Sequence, residues 1–131
     1  MQQLLKWCFD CGVKEITVYA FSIENLKRPQ AEVMGLFHLF RLKLIQLHEA
    51  IKFNRNHPDK ENRRSVGIRI FGDITLFPDD LKKVIVDISM SEQADEEHYF
   101  NVCLGYTSRA EITASVNDLL WGTSTGLLVQ G

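Results

Sequence analysis

The chain has 131 residues, 45% of them hydrophobic and 24% charged, and a formal net charge of −2. That length makes one domain or part of one, with enough apolar side chains for a core. The near-neutral charge argues against a general nucleic-acid binder, whose footprint is a basic stripe, and no apolar run approaches the ~20 residues of a membrane-spanning helix.

The first stretch, MQQLLKWCFDCG, lacks a signal peptide's basic region and long apolar run, so a soluble intracellular protein is expected. Residues 2–11 read as an amphipathic helix with Leu4, Leu5, Cys8 and Phe9 at helical spacing and Gly12 as a stop. Three cysteines without paired spacings fit a reducing compartment. Cys8 and Cys11 form a C-x-x-C with no second pair to complete a zinc site, so packing is the expected role of both, and of Cys103.

Residues 15–21 follow as a strand. The run Ile16-Thr17-Val18-Tyr19-Ala20-Phe21 is β-branched and aromatic with little polar interruption, the pattern of a strand buried on both faces. Residues 22–27 then turn polar, and Pro29 stands where a helix begins, its φ pre-set. Ser22, Glu24, Asn25 and Arg28 therefore sit on a short loop between a strand's C-terminal end and a helix N-terminus. Ligands bind at that edge of open α/β sheets, the helix N-terminus suits phosphate, and Arg28 offers a planar fork for phosphate oxygens. The competing reading of Ser22 and Asn25 is hydrogen bonding to the nearby helix end.

Residues 30–53 read as a long helix. Val33, Leu36, Phe37, Phe40, Leu44, Leu47 and Ile51 form one stripe, and Met34, Leu42 and Ile45 widen it, which predicts burial on more than one side. Residues 54–65 are a polar, solvated connection. A second strand spans residues 66–71, Gly72-Asp73 turns off it, and Pro78 opens a helix with the stripe Leu81, Val84, Ile85, Ile88. Asp79 and Asp80 suit that helix's dipole. After the acidic residues 95–97, a third strand covers residues 99–104. Ser108 with Glu111 has capping-box spacing for a last helix, whose stripe is Ile112, Val116, Leu119 and Leu120 and whose stop is Gly122; the tail carries no strong signal. Asp73 is read as a turn cap rather than a metal ligand, and His38, His48, His57 and His98 as structural or surface residues.

Three strands alternating with helices make an α/β fold with a parallel sheet. Three doubly buried strands would leave an uncovered edge, so the segment is expected to belong to a larger sheet.

The run YAFSIENLKR with Glu32-Val33, the segment IRIFGD at 68–73, and NVCLGYTSR at 101–109 with Glu111-Ile112 resemble the cis-prenyltransferases, the family of undecaprenyl and dehydrodolichyl diphosphate synthases. Within it they are most similar to the eukaryotic dehydrodolichyl diphosphate synthase catalytic subunits. The resemblance covers nearly the whole chain and only the middle portion of the family's parallel-sheet domain, so residues 1–131 are expected to form a single partial domain. It implies condensation of isopentenyl diphosphate with an allylic diphosphate such as farnesyl diphosphate, to give a long-chain polyprenyl diphosphate for dolichol biosynthesis and protein glycosylation. Asn25 matches the family's proton acceptor. Ser22, Ile23, Glu24, Leu26 and Arg28 match its substrate-binding loop, although Leu26 replaces a frequent aromatic. The second apolar face of the long helix would line a hydrocarbon tunnel, and Tyr106, Ser108, Arg109 and Glu111 would support the fold.

The resemblance further implies Mg²⁺ for the complete enzyme. The family's D-G-N-x-R and R-T-S-G-E motifs, which supply metal-site carboxylates, do not occur in this chain, so no metal ligand is assigned here and the isolated chain is expected to be inactive, to fold poorly and to self-associate. A homodimer, or a heteromer with a Nogo-B receptor-like subunit, is implied, at the cytosolic face of the endoplasmic reticulum, with room for peripheral membrane association. The alternative is a non-catalytic partner subunit; such partners typically lose the 22–28 loop, which this chain keeps.

Overall fold

A computed structural model describes residues 2–59, 65–91 and 97–129. The polar connection expected at 54–65 and the acidic stretch at 95–97 therefore lie partly outside the described residues. In chain order the elements are α1 (Gln2–Asp10), β1 (Glu15–Phe21), a 3-10 turn (Ile23–Lys27), α2 (Gln30–Arg55), β2 (Val66–Phe71), a second 3-10 turn (Ile74–Leu76), α3 (Asp79–Met90), β3 (His98–Leu104) and α4 (Ser108–Ser124). The three strands form one parallel sheet in the order β1-β3-β2. The α/β parallel architecture expected from the sequence is the one observed.

The central position of β3 decides where the core lies. Phe100, Val102 and Leu104 are at most 2% exposed, and Asn101 on the opposite face is buried too. β3 is thus the strand closed on both faces. β1 is not: Thr17, Tyr19 and Ala20 are exposed and only Phe21 is fully buried. The expectation of double burial for β1 is corrected, because a β-branched run at an edge strand looks the same in sequence as one at the centre.

Helices α2 and α3 pack together against the apolar face that carries Val66, Ile68 and Phe100. From α2, Val33, Phe37, Leu44, Leu47 and Ile51 enter the core; from α3, Leu81, Ile85 and Ile88 do. Of the wider stripe expected on α2, Met34 and Leu42 are 52% and 42% exposed while Ile45 is half-buried, so that face is only partly covered. One stripe suffices to seat a helix on a sheet, and the second face is left for something else. Helix α1 adds Leu5 and Phe9 and ends at Gly12 (φ 87°), with Val13 N–H returning to Cys8 O at 3.1 Å. The His98 ring stacks on Phe9 at 4.5 Å and donates from Nδ1 to Val13 O at 3.1 Å, which ties α1 to β3.

Two details at the last helix differ from the expected pattern. Thr107, not Ser108, is the N-cap, its hydroxyl accepting from Ala110 N–H at 3.0 Å. Gly122 does not stop α4; it lies inside the helix beneath Leu128, whose Cδ1 stands 2.7 Å from where a Cβ would be, and Gly126 (φ 75°) makes the exit. The stripe Ile112, Val116, Leu119 and Leu120 is exposed, each residue 49–66%. No other described element packs closely on α4.

The α2–α3 seam also contains a titratable contact. Ser91 Oγ donates to Ile88 O at 2.7 Å, so His48 Nε2–H donates to Ser91 Oγ at 2.9 Å. Partial burial, then the positive charges of Lys52 and Arg55, hold the His48 pKa below its ordinary value. A depressed histidine favours the neutral folded state, so its stabilisation is complete above the unfolded value of about 6.5 and is lost as pH falls below it through the folded value. His48→Gln is expected to flatten the stability profile between about pH 7 and 5 in urea titrations. An unchanged slope in that window contradicts the assignment.

Candidate functional site

The C-terminal edge of the sheet gathers the exit of every strand. At β1 the ladder is regular from Glu15↔Tyr99 to Tyr19↔Cys103 and then skips a residue, so that Phe21, not Ala20, meets Leu104. This bulge at Ala20 turns Phe21 into the core, where its ring stacks on Phe37 at 5.3 Å and meets Phe77 edge-on at 5.6 Å. Phe37 and Phe77 close the triangle at 5.5 Å. Bulges re-aim side chains beside functional sites; here the consequence is a firm aromatic floor directly under Ser22.

The loop that follows is a single 3-10 turn, with Asn25 N–H bonded to Ser22 O at 3.1 Å and Arg28 N–H to Asn25 O at 3.4 Å. Leu26 packs against the core and anchors the turn, and Ile23 is half-buried beside it. Neither the Ser22 hydroxyl nor the Asn25 carboxamide has a hydrogen-bond partner among the described residues. Both half-buried groups are open to a ligand, so the helix-end bonding considered for them is not what the structure adopts. Glu24 pairs with Lys27 at 3.0 Å, both about 70% exposed, a contact of little energetic value. Arg28 Nη1 lies 2.8 Å from Glu32 Oε1 with both side chains half exposed, so a stronger anion can take the guanidinium from it. Pro29 caps α2 without a side-chain bond to the first-turn N–H groups, leaving that end receptive to negative charge.

The other strand exits close the edge. Gly72 (φ 118°) lets the end of β2 cross the end of β3, and Asp73 accepts from Thr75 N–H at 2.9 Å and from Thr75 Oγ1. Those bonds, the side-chain one first, hold the Asp73 carboxyl below its ordinary value. Asp73 is thus a turn cap, in line with the sequence reading. Gly105 N–H donates to Phe21 O at 2.8 Å, and the Tyr19 hydroxyl donates to Tyr106 O. The Tyr106 hydroxyl donates in turn to Glu111, and that bond raises the phenol above its ordinary value. The β3–α4 corner therefore sits beside the 22–28 loop. Its link through Tyr19 was not legible in sequence, because Tyr19 reads as one more buried aromatic.

An open apolar groove of about 850 Å³ runs between β1, β3 and α2. Val18, Leu36, Phe40, Leu44, Phe100 and Val102 line it, and Lys43, Gln46 and Gln3 add polar groups. That is a volume typical of ligand sites. Its α2 wall from Leu36 to Leu47 is about 16 Å long. Among the described residues no three His, Cys, Asp or Glu side chains converge on a common point, and no helix is long and apolar enough to cross a membrane.

Comparison with known proteins gives concordant likenesses. Residues 1–128 match a family described as putative undecaprenyl diphosphate synthase. The chain is 40% identical over 128 residues to the dehydrodolichyl diphosphate synthase complex subunit of Homo sapiens, covering 98% of this chain and 36% of that protein. It is 34% identical to the tritrans,polycis-undecaprenyl-diphosphate synthase (geranylgeranyl-diphosphate specific) of Methanosarcina mazei, covering 97% of this chain and 40% of the relative. Among solved structures, a probable undecaprenyl diphosphate synthase from Campylobacter jejuni superposes with a TM-score of 0.77 at 24% identity, over 94% of this chain and 55% of that one. Lavandulyl diphosphate synthase from Lavandula x intermedia, in complex with dimethylallyl diphosphate, gives 0.75 at 20% identity, over 91% and 47%. The chain thus spans roughly a third to a half of the proteins it matches.

Proposed function

Because the chain belongs to the undecaprenyl diphosphate synthase family, we propose that it carries the diphosphate-binding loop and one wall of the hydrocarbon groove of a cis-prenyltransferase. The reaction condenses isopentenyl diphosphate with an allylic diphosphate such as farnesyl diphosphate. One observation carries the reading: among the described residues, partner-free Ser22 and Asn25 side chains, an Arg28 paired with a surface carboxylate and a helix start without a side-chain cap lie at the end of the same strand that borders the apolar groove. A polar, cationic loop beside an apolar wall matches an anionic head on a hydrocarbon tail.

In the reaction the allylic C–O bond breaks, diphosphate departs, the double bond of isopentenyl diphosphate attacks the allylic carbon, and a proton leaves to form the cis alkene. Arg28 and the α2 N-terminus hold diphosphate oxygens as their charge grows. Ser22 hydrogen-bonds the same oxygens, and Glu24 stands at the exposed rim beside Lys27. Asn25 lacks a basic group, so its carboxamide orients the substrate from which the proton leaves, and a diphosphate oxygen takes that proton. Ile23 and Leu26 shape the loop from beneath. Mg²⁺ in the complete enzyme would supply countercharge to diphosphate. Among the described residues the side chains do not fit a metal cage: Asp73 is committed to Thr75 and no carboxylate cluster forms.

We further propose a partner subunit, on the support of the human relative's designation as a complex subunit and of the uncovered α4 stripe, and action at the cytosolic face of the endoplasmic reticulum. The loop's role is tested by titrating the chain with farnesyl diphosphate, farnesol and inorganic diphosphate. Farnesyl diphosphate is expected to bind at least about tenfold tighter than either half-ligand, a gap of about 1.4 kcal/mol. Equal affinity for farnesol and farnesyl diphosphate contradicts the reading.

A further inference from the structure

We infer that Tyr19, Tyr106 and Glu111 form a strap that fixes the bulge at Ala20 and so holds the 22–28 loop in its diphosphate-binding shape, the binding role itself resting on the function proposed above. The bulge is the point where β1 stops following β3 and becomes the loop. Its two flanks are Tyr19 and Phe21, and each is bonded to one of two consecutive residues of the β3–α4 corner. The Tyr19 hydroxyl reaches Tyr106 O, and Phe21 O accepts Gly105 N–H at 2.8 Å. A parallel ladder can otherwise slip by one residue where it has just lost its register, which would exchange the faces of Ala20 and Phe21.

The corner that makes these bonds is itself held. Gly105 lies at φ 58°, and a Cβ there would stand 2.7 Å from Asp73 O, so the β2 exit dictates the shape of the turn. Beyond it, the Tyr106 ring meets the Tyr19 ring edge-on at 5.8 Å and its hydroxyl is bonded to Glu111 in the first turn of α4. Thr107 caps that turn. Tyr19 is 57% exposed and Glu111 is exposed as well. Side chains that bury so little contribute little to the core, which separates this role from plain support of the fold. They are positioning residues: they act on the loop through the bulge.

The test uses the ¹⁵N-labelled chain and Tyr19→Phe, which removes only the hydroxyl. Amide signals of residues 20–25 and of Gly105 are expected to shift, and Gly105 N–H exchange to quicken about fivefold, the effect of one lost hydrogen bond. Signals of β2 and α3 should stay in place. Glu111→Gln keeps an acceptor for Tyr106 and should leave residues 20–25 unchanged, whereas Glu111→Ala should reproduce part of the Tyr19→Phe pattern. Inorganic diphosphate titrated in parallel should bind Tyr19→Phe about fivefold more weakly. Unmoved loop signals, or unmoved loop signals with a lowered unfolding midpoint, overturn the strap. If the unmodified chain binds no diphosphate, the proposed function fails, and the amide signals still decide for or against the strap.

Discussion

Arg28→Ala is expected to lower prenyl transfer by roughly 10- to 150-fold, the loss of one charge-assisted hydrogen-bonding interaction worth about 1.5–3 kcal/mol. The assay is steady-state turnover of isopentenyl and farnesyl diphosphates by a chimera in which residues 1–128 replace the matching stretch of the human relative. Stability should change by less than about 0.5 kcal/mol, because Arg28 is half exposed and its contact among the described residues is the surface pair with Glu32. Asn25→Ala should follow the same pattern with the loss concentrated in kcat, since its carboxamide has no partner among the described residues. Unaltered turnover in both variants removes the loop from the site.

The largest effect on stability is expected at Gly72. Its φ of 118° is one that residues with a side chain rarely adopt, and a Cβ there would lie 1.7 Å from Leu104 O, inside the backbone of the central strand. The atoms it would meet are all Leu104 backbone, so Gly72→Ala must push β2 away from β3 at the edge that builds the candidate site. A cost of about 4 kcal/mol or more is expected, a large part of a domain's total stability. Gly35 is the internal control. It sits within α2, where a Cβ would meet nothing within 4 Å beyond its chain neighbours and the helix's own backbone, and Gly35→Ala should stabilise by up to about 1 kcal/mol through helix propensity. Urea unfolding of both variants decides the matter. A Gly72→Ala chain as stable as the parent would mean that the β2–β3 exits do not cross as described.

Those two glycines also show how far the sequence could be read. The strands, the long α2 and the polar loop at 22–28 were legible because composition and periodicity are local: β-branched runs bounded by polar residues, and apolar residues at helical spacing. What a sequence does not contain is the neighbour. The run 16–21 is as apolar as a central strand, yet β1 ends up at an edge with Thr17 and Tyr19 exposed. The apolar stripe of α4 is equally sound in sequence and uncovered in the structure. Gly122 looked like a helix stop because nothing local reveals Leu128 folding back onto it. Within the site, the family motif placed Ser22, Asn25 and Arg28 together, but the bulge at Ala20 and the reach of Tyr19 to Tyr106 are long-range facts that required the register of β1 on β3.

Incorporation of radiolabelled isopentenyl diphosphate into polyprenyl product by the unmutated chimera is the most direct test that this chain carries a competent half of the site. The chimera should melt cooperatively, elute as the human relative does, and extend farnesyl diphosphate with turnover within about tenfold of that relative, a barrier difference of about 1.4 kcal/mol. A chimera that folds equally well and incorporates no isopentenyl diphosphate would show that the 22–28 loop and the groove beside it do not perform prenyl transfer.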